Sequence, residues 1–294
     1  MRIEEELQSL APGTPIDRRG FMLGSIAGGF AAAVAPTGKL LAQTITTPDT
    51  GLATGDDQVT VGADRLPVYW ARPEGRNDVP VVLVVQEIFG VHEHIRDVCR
   101  RFALEGYMAI APELYFRQGD PSRESSIPEL IARIVSKVPD DQVMSDLDAV
   151  VQWAGGRDAD AARLGITGFC WGGRTVWLYA AHQPALKAGV AWYGRLASEP
   201  SANTPKHPVD LAASLHAPVL GLYGGADQGI PLDTVEEMKR RLAAGGPASR
   251  ASEFVVYPDA PHAFHADYRP SYRAEAAADG WRRCLAWMKT HGLA

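Results

Sequence analysis

The stretch "RLGITGFCWGGRTVWLYAAH", residues 163–182, changes its period in the middle. "RLGIT" is short, apolar and partly β-branched, and reads as a buried strand. From residue 172 to 183 the apolar positions recur at helical spacing. Between the two lies Gly168-x-Cys170-x-Gly172, so one of only three cysteines occupies a sharp strand-to-helix turn. Small residues two before and two after such a turn prevent clashes between strand, turn and helix, and Gly173 adds a further one. The helix beginning at Trp171 aims backbone N–H groups at the turn, and its dipole favours a thiolate over a thiol. A sulfur placed there is either a nucleophile or a small buried hydrophobe, and the rest of the chain has to decide.

Outward from that turn, strand-like and helix-like segments alternate. "VTV" (59–61), "LPVYWA" (66–71), "VPVVLVV" (79–85), "YMAIA" (107–111), "AGVAWY" (188–193), "PVLGLY" (218–223) and "EFVVY" (253–257) read as further strands. Segments 92–105, 125–137, 140–155, 232–244 and 271–290 carry a 3.6-residue period. Runs such as "VVLVV" imply burial on both faces, as in a parallel sheet covered by helices. The pattern predicts an α/β fold, a doubly wound, mostly parallel sheet of about eight strands with no separate cap domain. The chain has 294 residues, 46% of them hydrophobic, ample for one large core. That domain is expected over 58–294, after a Thr/Gly/Asp-rich linker at 43–57. No internal repeat is visible.

Residues 1–42 read differently. Paired Arg18 and Arg19 precede Phe21-Met22-Leu23 and a weakly apolar Gly/Ala-rich run to Ala35. This resembles a twin-arginine export signal, with Asp17 where that pattern usually has Ser or Thr. The resemblance implies the export machinery as a partner, membrane contact only during export, and a periplasmic mature protein. Cleavage after Ala42 fits a small residue at −1, although Leu40 at −3 is not small. Arg2, Arg18, Arg19 and Lys39 balance Glu4, Glu5, Glu6 and Asp17, so the mature chain keeps the net charge of −6. No basic block exists to meet a phosphate backbone, which argues against nucleic acid as a partner. Cys99 and Cys284 lie on apolar helical faces and read as core thiols; they could pair only if their helices pack side by side. His92 and His94, at i and i+2 on a helix, point to different sides and make a poor metal pair, so no metal site is expected.

In sheets of this kind ligands bind beyond the carboxyl ends of the strands. The chemically loaded turns there are "QEIFG" (86–90), "GFCWGG" (168–173), "GGADQGIP" (224–231) and "PDAPHAFH" (258–265). A thiol nucleophile needs a base and the base an orienting carboxylate. His262 and Asp227 supply them, in the chain order nucleophile, acid, histidine that α/β-hydrolases use. Asp259 and His265 are the rivals. The backbone N–H groups of Ile88 and Trp171 are the expected oxyanion pair, each worth about 3–4 kcal/mol to a transition state. A charged Glu87 beside the nucleophile would raise the thiol pKa, so it has either a switching or a capping role.

Through "QEIFG", "IRDVCRRFALEGYMAIAPELYFRQG", "GFCWGG", "GGADQGIP" and "HAFH", the chain resembles the dienelactone hydrolase family from about residue 60 to 290. The resemblance implies a cofactor-free hydrolase of lactones or carboxylic esters acting through an acyl-enzyme. It assigns Cys170, Asp227 and His262 to the triad and Glu87 to the glutamate that keeps the resting thiol neutral and takes its proton when substrate binds. Two features depart from the family. Four residues after the histidine, where the family holds a substrate carboxylate with arginine, stands Ala266, followed by Asp267. Trp171 replaces a smaller aliphatic residue. The second family arginine falls in a stretch near Arg123 or Arg133 that does not align, and Arg117 matches the family pattern without an assigned role. A non-catalytic binding protein of the same fold and a thiol redox protein are the rival functions.

Overall fold

The computed structural model describes residues 44–294, so the export signal expected at 1–42 lies outside the described residues. The chain opens with an antiparallel hairpin, β1 (Leu52–Val61) and β2 (Asp64–Pro73), followed by β3 (Val79–Val85). Then come α1 (Glu93–Leu104), β4 (Met108–Pro112), α2 (Ile127–Arg133) and α3 (Asp140–Gly155). Next are β5 (Ala159–Phe169), α4 (Trp171–His182), β6 (Leu186–Trp192) and the short α5 (Pro208–Leu211). The chain ends with β7 (Val219–Gly224), α6 (Leu232–Ala243), α7 (Pro247–Arg250), β8 (Glu253–Tyr257) and α8 (Ala274–Thr290).

The strands form one eight-stranded sheet in the order β1-β2-β4-β3-β5-β6-β7-β8. β1 and β2 are antiparallel additions at one edge; every pair from β4 to β8 is parallel. All seven residues of β3 are buried, as their unbroken apolar run requires. Neighbouring positions along a strand face opposite sides. A Cβ at Gly165 would come within 2.9 Å of Met288 of α8, whereas one at Gly189, the partner of Ile166, would come within 2.8 Å of Val176 of α4. One face is covered by α1 and α8, whose Phe102 and Trp281 rings lie 4.6 Å apart. The other is covered by α3 and α4, tied by the Tyr179 hydroxyl donating to Asp148 at 3.0 Å.

Two expectations need correction. The linker expected at 43–57 gives way to β1 from Leu52 onward, because ten residues of β1 find partners on β2. Pairing overrides the poor strand propensity of Gly55, Asp56 and Asp57. The helix expected over 125–137 ends at Arg133, beyond which Ile134 leads into a single tighter turn, Val135–Lys137. Ser126 caps its start, accepting from the Glu129 N–H at 3.4 Å.

Candidate active site

The elbow is built as its glycines require. Cys170 has φ 55° and ψ −112°, a backbone state that costs a non-glycine residue about 1–3 kcal/mol. A Cβ at Gly168 would fall 2.4 Å from the Gly172 carbonyl oxygen, and one at Gly172 would fall 2.4 Å from that of Val85. The strand, the turn and the neighbouring end of β3 thus touch backbone to backbone, and side chains there would force them apart. The Cys170 N–H donates to the Trp192 carbonyl at 3.0 Å, fixing the turn to β6. Trp171 opens α4, where its N–H has no acceptor within the helix. Ile88 lies in the turn after β3, the strand that pairs with β5.

His262 and Asp227 come together from the turns after β8 and β7. The His262 Nδ1–H donates to Asp227 Oδ2 at 2.7 Å, and the second carboxylate oxygen accepts the Gly229 N–H at 2.9 Å. Both side chains are buried. Burial alone would lower the His262 pKa, but the Asp227 carboxylate and the Cys170 sulfur outweigh it and push it up to about 10. Its Nε2 has no hydrogen-bond partner among the described residues. Cys170, His262, Trp171 and Tyr193 line one cavity of about 500 Å³. Among the described residues its charged lining consists of Lys137, Arg174 and Arg195, with no aspartate or glutamate. Arg174 is matched by Asp140, which accepts from it at 2.7 and 2.8 Å.

The rivals sit elsewhere. Asp259 is exposed on the loop after β8. His265 packs into an aromatic box, its ring centroid 4.5 Å from that of Trp192 and 5.1 Å from that of Phe169. Burial holds its pKa well below the ordinary histidine value. Arg117 pairs with Asp64 and Asp146, while Arg123 and Arg133 make exposed ion pairs and are not among the residues lining the cavity. Cys99 and Cys284 are free and buried, and burial pushes both thiols far up.

Glu87 is held by a tyrosine and a histidine. Its Oε2 accepts the Tyr268 hydroxyl at 2.6 Å and lies 3.7 Å from His92 Nε2. Burial would raise its pKa; the neighbouring His92 and Arg269 overcome that and bring it down to about 2. The expectation for the histidine pair is corrected. His92 precedes α1 in extended backbone (φ −83°, ψ 178°), and its ring stacks on that of His94 at 6.1 Å instead of pointing away. His94 in turn meets Asp267 at 3.1 Å, and Asp267 also accepts from Arg101 at 2.7 Å. Among the described residues no three His, Cys, Asp or Glu side chains converge as a metal-ligand group. Sequence reasoning missed Tyr193, Arg195 and Tyr268; the apolar strand end "AWYGR" offers no chemical signal, and Tyr268 meets Glu87 only through the fold.

Comparison with known proteins agrees with this geometry. The model of the dienelactone hydrolase family matches residues 66–292. A protein of Methylorubrum extorquens named "Putative carboxymethylenebutenolidase" is 57% identical over 292 residues, covering 99% of both chains. A protein of the same name from Escherichia coli is 56% identical, covering 90% of this chain and 96% of its own. The crystal structure of a "Putative Dienelactone Hydrolase" from Klebsiella pneumoniae superposes with a TM-score of 0.79 at 59% identity, over 81% of this chain and 98% of that one. The uncapped α/β-hydrolase sheet, the cysteine elbow on β5 and the extent of these matches lead to one conclusion: the chain belongs to the dienelactone hydrolase family.

Proposed function

We propose that this family hydrolase opens lactones or carboxylic esters through an acyl-enzyme on Cys170. The observation that carries the reading is His262, bonded through Nδ1 to Asp227 at 2.7 Å while its Nε2 stands unpartnered in a cavity shared with Cys170. At its raised pKa His262 already holds the proton, as an imidazolium beside the Cys170 thiolate, and the sulfur attacks the acyl carbon, moving the carbonyl electron pair onto oxygen. The N–H groups of Ile88 and Trp171 hold that oxyanion. The carbon–oxygen bond to the alcohol then breaks, and His262 passes its proton to the departing oxygen. Water, deprotonated by His262, attacks the thioester; the thiolate leaves and a carboxylic acid is released. Asp227 keeps the ring in one tautomer and stabilises the imidazolium throughout.

The basic lining favours a substrate with a negative charge near Lys137. Glu87 acts as a fixed anion held by Tyr268, because a carboxylate with a pKa of about 2 is a weak base for a thiol. The twin-arginine pattern supports export, with the enzyme working in the periplasm on a small ester or lactone. The test is Cys170→Ala on a panel of lactones and short esters. Turnover is expected to vanish while the melting temperature is preserved; undiminished turnover would refute the proposal.

A further inference from the structure

Tyr193 follows β6 with φ 39°, a left-handed state unusual for an aromatic residue. Three contacts hold it there. Its N–H donates to the Leu222 carbonyl at 2.8 Å, and its ring stands edge-on to His262 with centroids 5.1 Å apart. The next residue, Gly194, abuts Gly173 of the elbow helix so closely that a Cβ would fall 2.2 Å from the Gly173 carbonyl carbon. The residue is 1% exposed, lines the cavity with Cys170 and His262, and its hydroxyl has no hydrogen-bond partner among the described residues. Buried hydroxyls are normally satisfied, and leaving one unpaired is costly. Tyr223, equally buried, obeys the rule: it donates to the Gly194 carbonyl at 2.9 Å and accepts the Trp177 Nε1–H at 3.1 Å. An unpaired donor held in strained backbone beside the reacting groups is a place prepared for a ligand atom.

We propose that Tyr193 is a catalytic residue whose hydroxyl donates a hydrogen bond to the leaving-group oxygen of the substrate. This role rests on the thiol-hydrolase reading above. As the carbon–oxygen bond breaks, its electron pair collects on that oxygen. His262 Nε2 delivers the proton, while Tyr193, on the same side of the cavity, shares its own hydrogen without losing it. Burial and the nearby Glu87, Tyr268 and Cys170 keep the phenol protonated, so it remains a donor across the working pH range. The contribution grows with the charge on the departing oxygen, and so is largest for alkoxide leaving groups.

The experiment compares kcat/KM for an alkyl ester and a p-nitrophenyl ester of the same acid in wild type, Tyr193→Phe, Tyr223→Phe and Cys170→Ala. kcat/KM reports acylation, the step in which the alcohol leaves. Tyr193→Phe is expected to lose roughly 10- to 100-fold on the alkyl ester and stay within ~3-fold on the activated one. Its melting temperature should not fall, because the deleted oxygen bonds nothing, whereas Tyr223→Phe should melt lower. Equal losses on both esters, or loss on neither, would overturn the assignment. Cys170→Ala inactive on both esters leaves the thiol reading standing whatever Tyr193→Phe does. Cys170→Ala as active as wild type overturns that reading and this one with it.

Discussion

Two histidines three residues apart on the loop after β8 meet opposite fates. Both His262 and His265 are buried, and burial alone lowers the pKa of each. His262 faces a carboxylate at 2.7 Å and a cavity, and its pKa rises to about 10. His265 faces Trp192, Phe169 and Trp281, and its pKa falls. Both keep an unpartnered ring nitrogen, Nε2 in the first and Nδ1 in the second, but only the first lines a space that substrate can enter. Burial and an idle nitrogen do not make a base; a carboxylate behind the ring and a void before it do.

The largest effect should separate the pair directly. His262→Gln is expected to lower kcat/KM by ~10³-fold or more, and Asp227→Asn by a comparable factor through loss of the correct tautomer. His265→Phe, close in shape and lacking a polar atom to bury, should keep activity within ~10-fold and change stability by less than about 1.5 kcal/mol. Side-by-side kinetics and urea melts check both; a His265 variant as damaged as the His262 one would break the contrast.

The cavity side sharpens next. Lys137→Ala is expected to raise KM about 3-fold for an ester carrying a carboxylate and to leave a neutral ester of similar size nearly unchanged. An equal rise for both would remove the case for an anionic substrate.

The smallest effect belongs to the sealed carboxylates. Glu87 has a folded pKa lowered from 4.5 to about 2, so the stability it supplies is complete above pH 4.5 and is lost as pH falls toward 2. Asp267, lowered by His94 and Arg101 against its own burial, acts in the same direction. Glu87→Gln should therefore flatten the acid limb of stability against pH between 4.5 and 2. An unchanged slope in urea melts would show that Tyr268 and His92 contribute nothing to holding the charge.

Much of this was legible in the chain because its signals are local. The eight apolar runs each became a strand, and the Gly168-x-Cys170-x-Gly172 spacing became a strained elbow, since both depend on neighbours in sequence. The turns bearing Asp227 and His262 were legible because a parallel sheet gathers its strand ends on one rim. What was hidden depends on partners far along the chain. β1 begins early because β2 pairs with it, and Glu87 is occupied by a tyrosine 181 residues away. His92 stacks on His94 because the helix starts one residue later than its periodic pattern suggests. Tyr193 carries no sequence mark at all; its distinction is a backbone angle and an unmet hydroxyl.

The central claim is that acyl transfer passes through one sulfur. Peptide mapping by mass spectrometry, after rapid acid quench of the enzyme with a slowly hydrolysed ester, tests it most directly. The account predicts a hydroxylamine-labile acyl group on the peptide containing Cys170, with Cys99 and Cys284 unmodified in their buried, high-pKa sites. Turnover of that ester with the acyl group on another residue, or with none on Cys170 at any quench time, would contradict it.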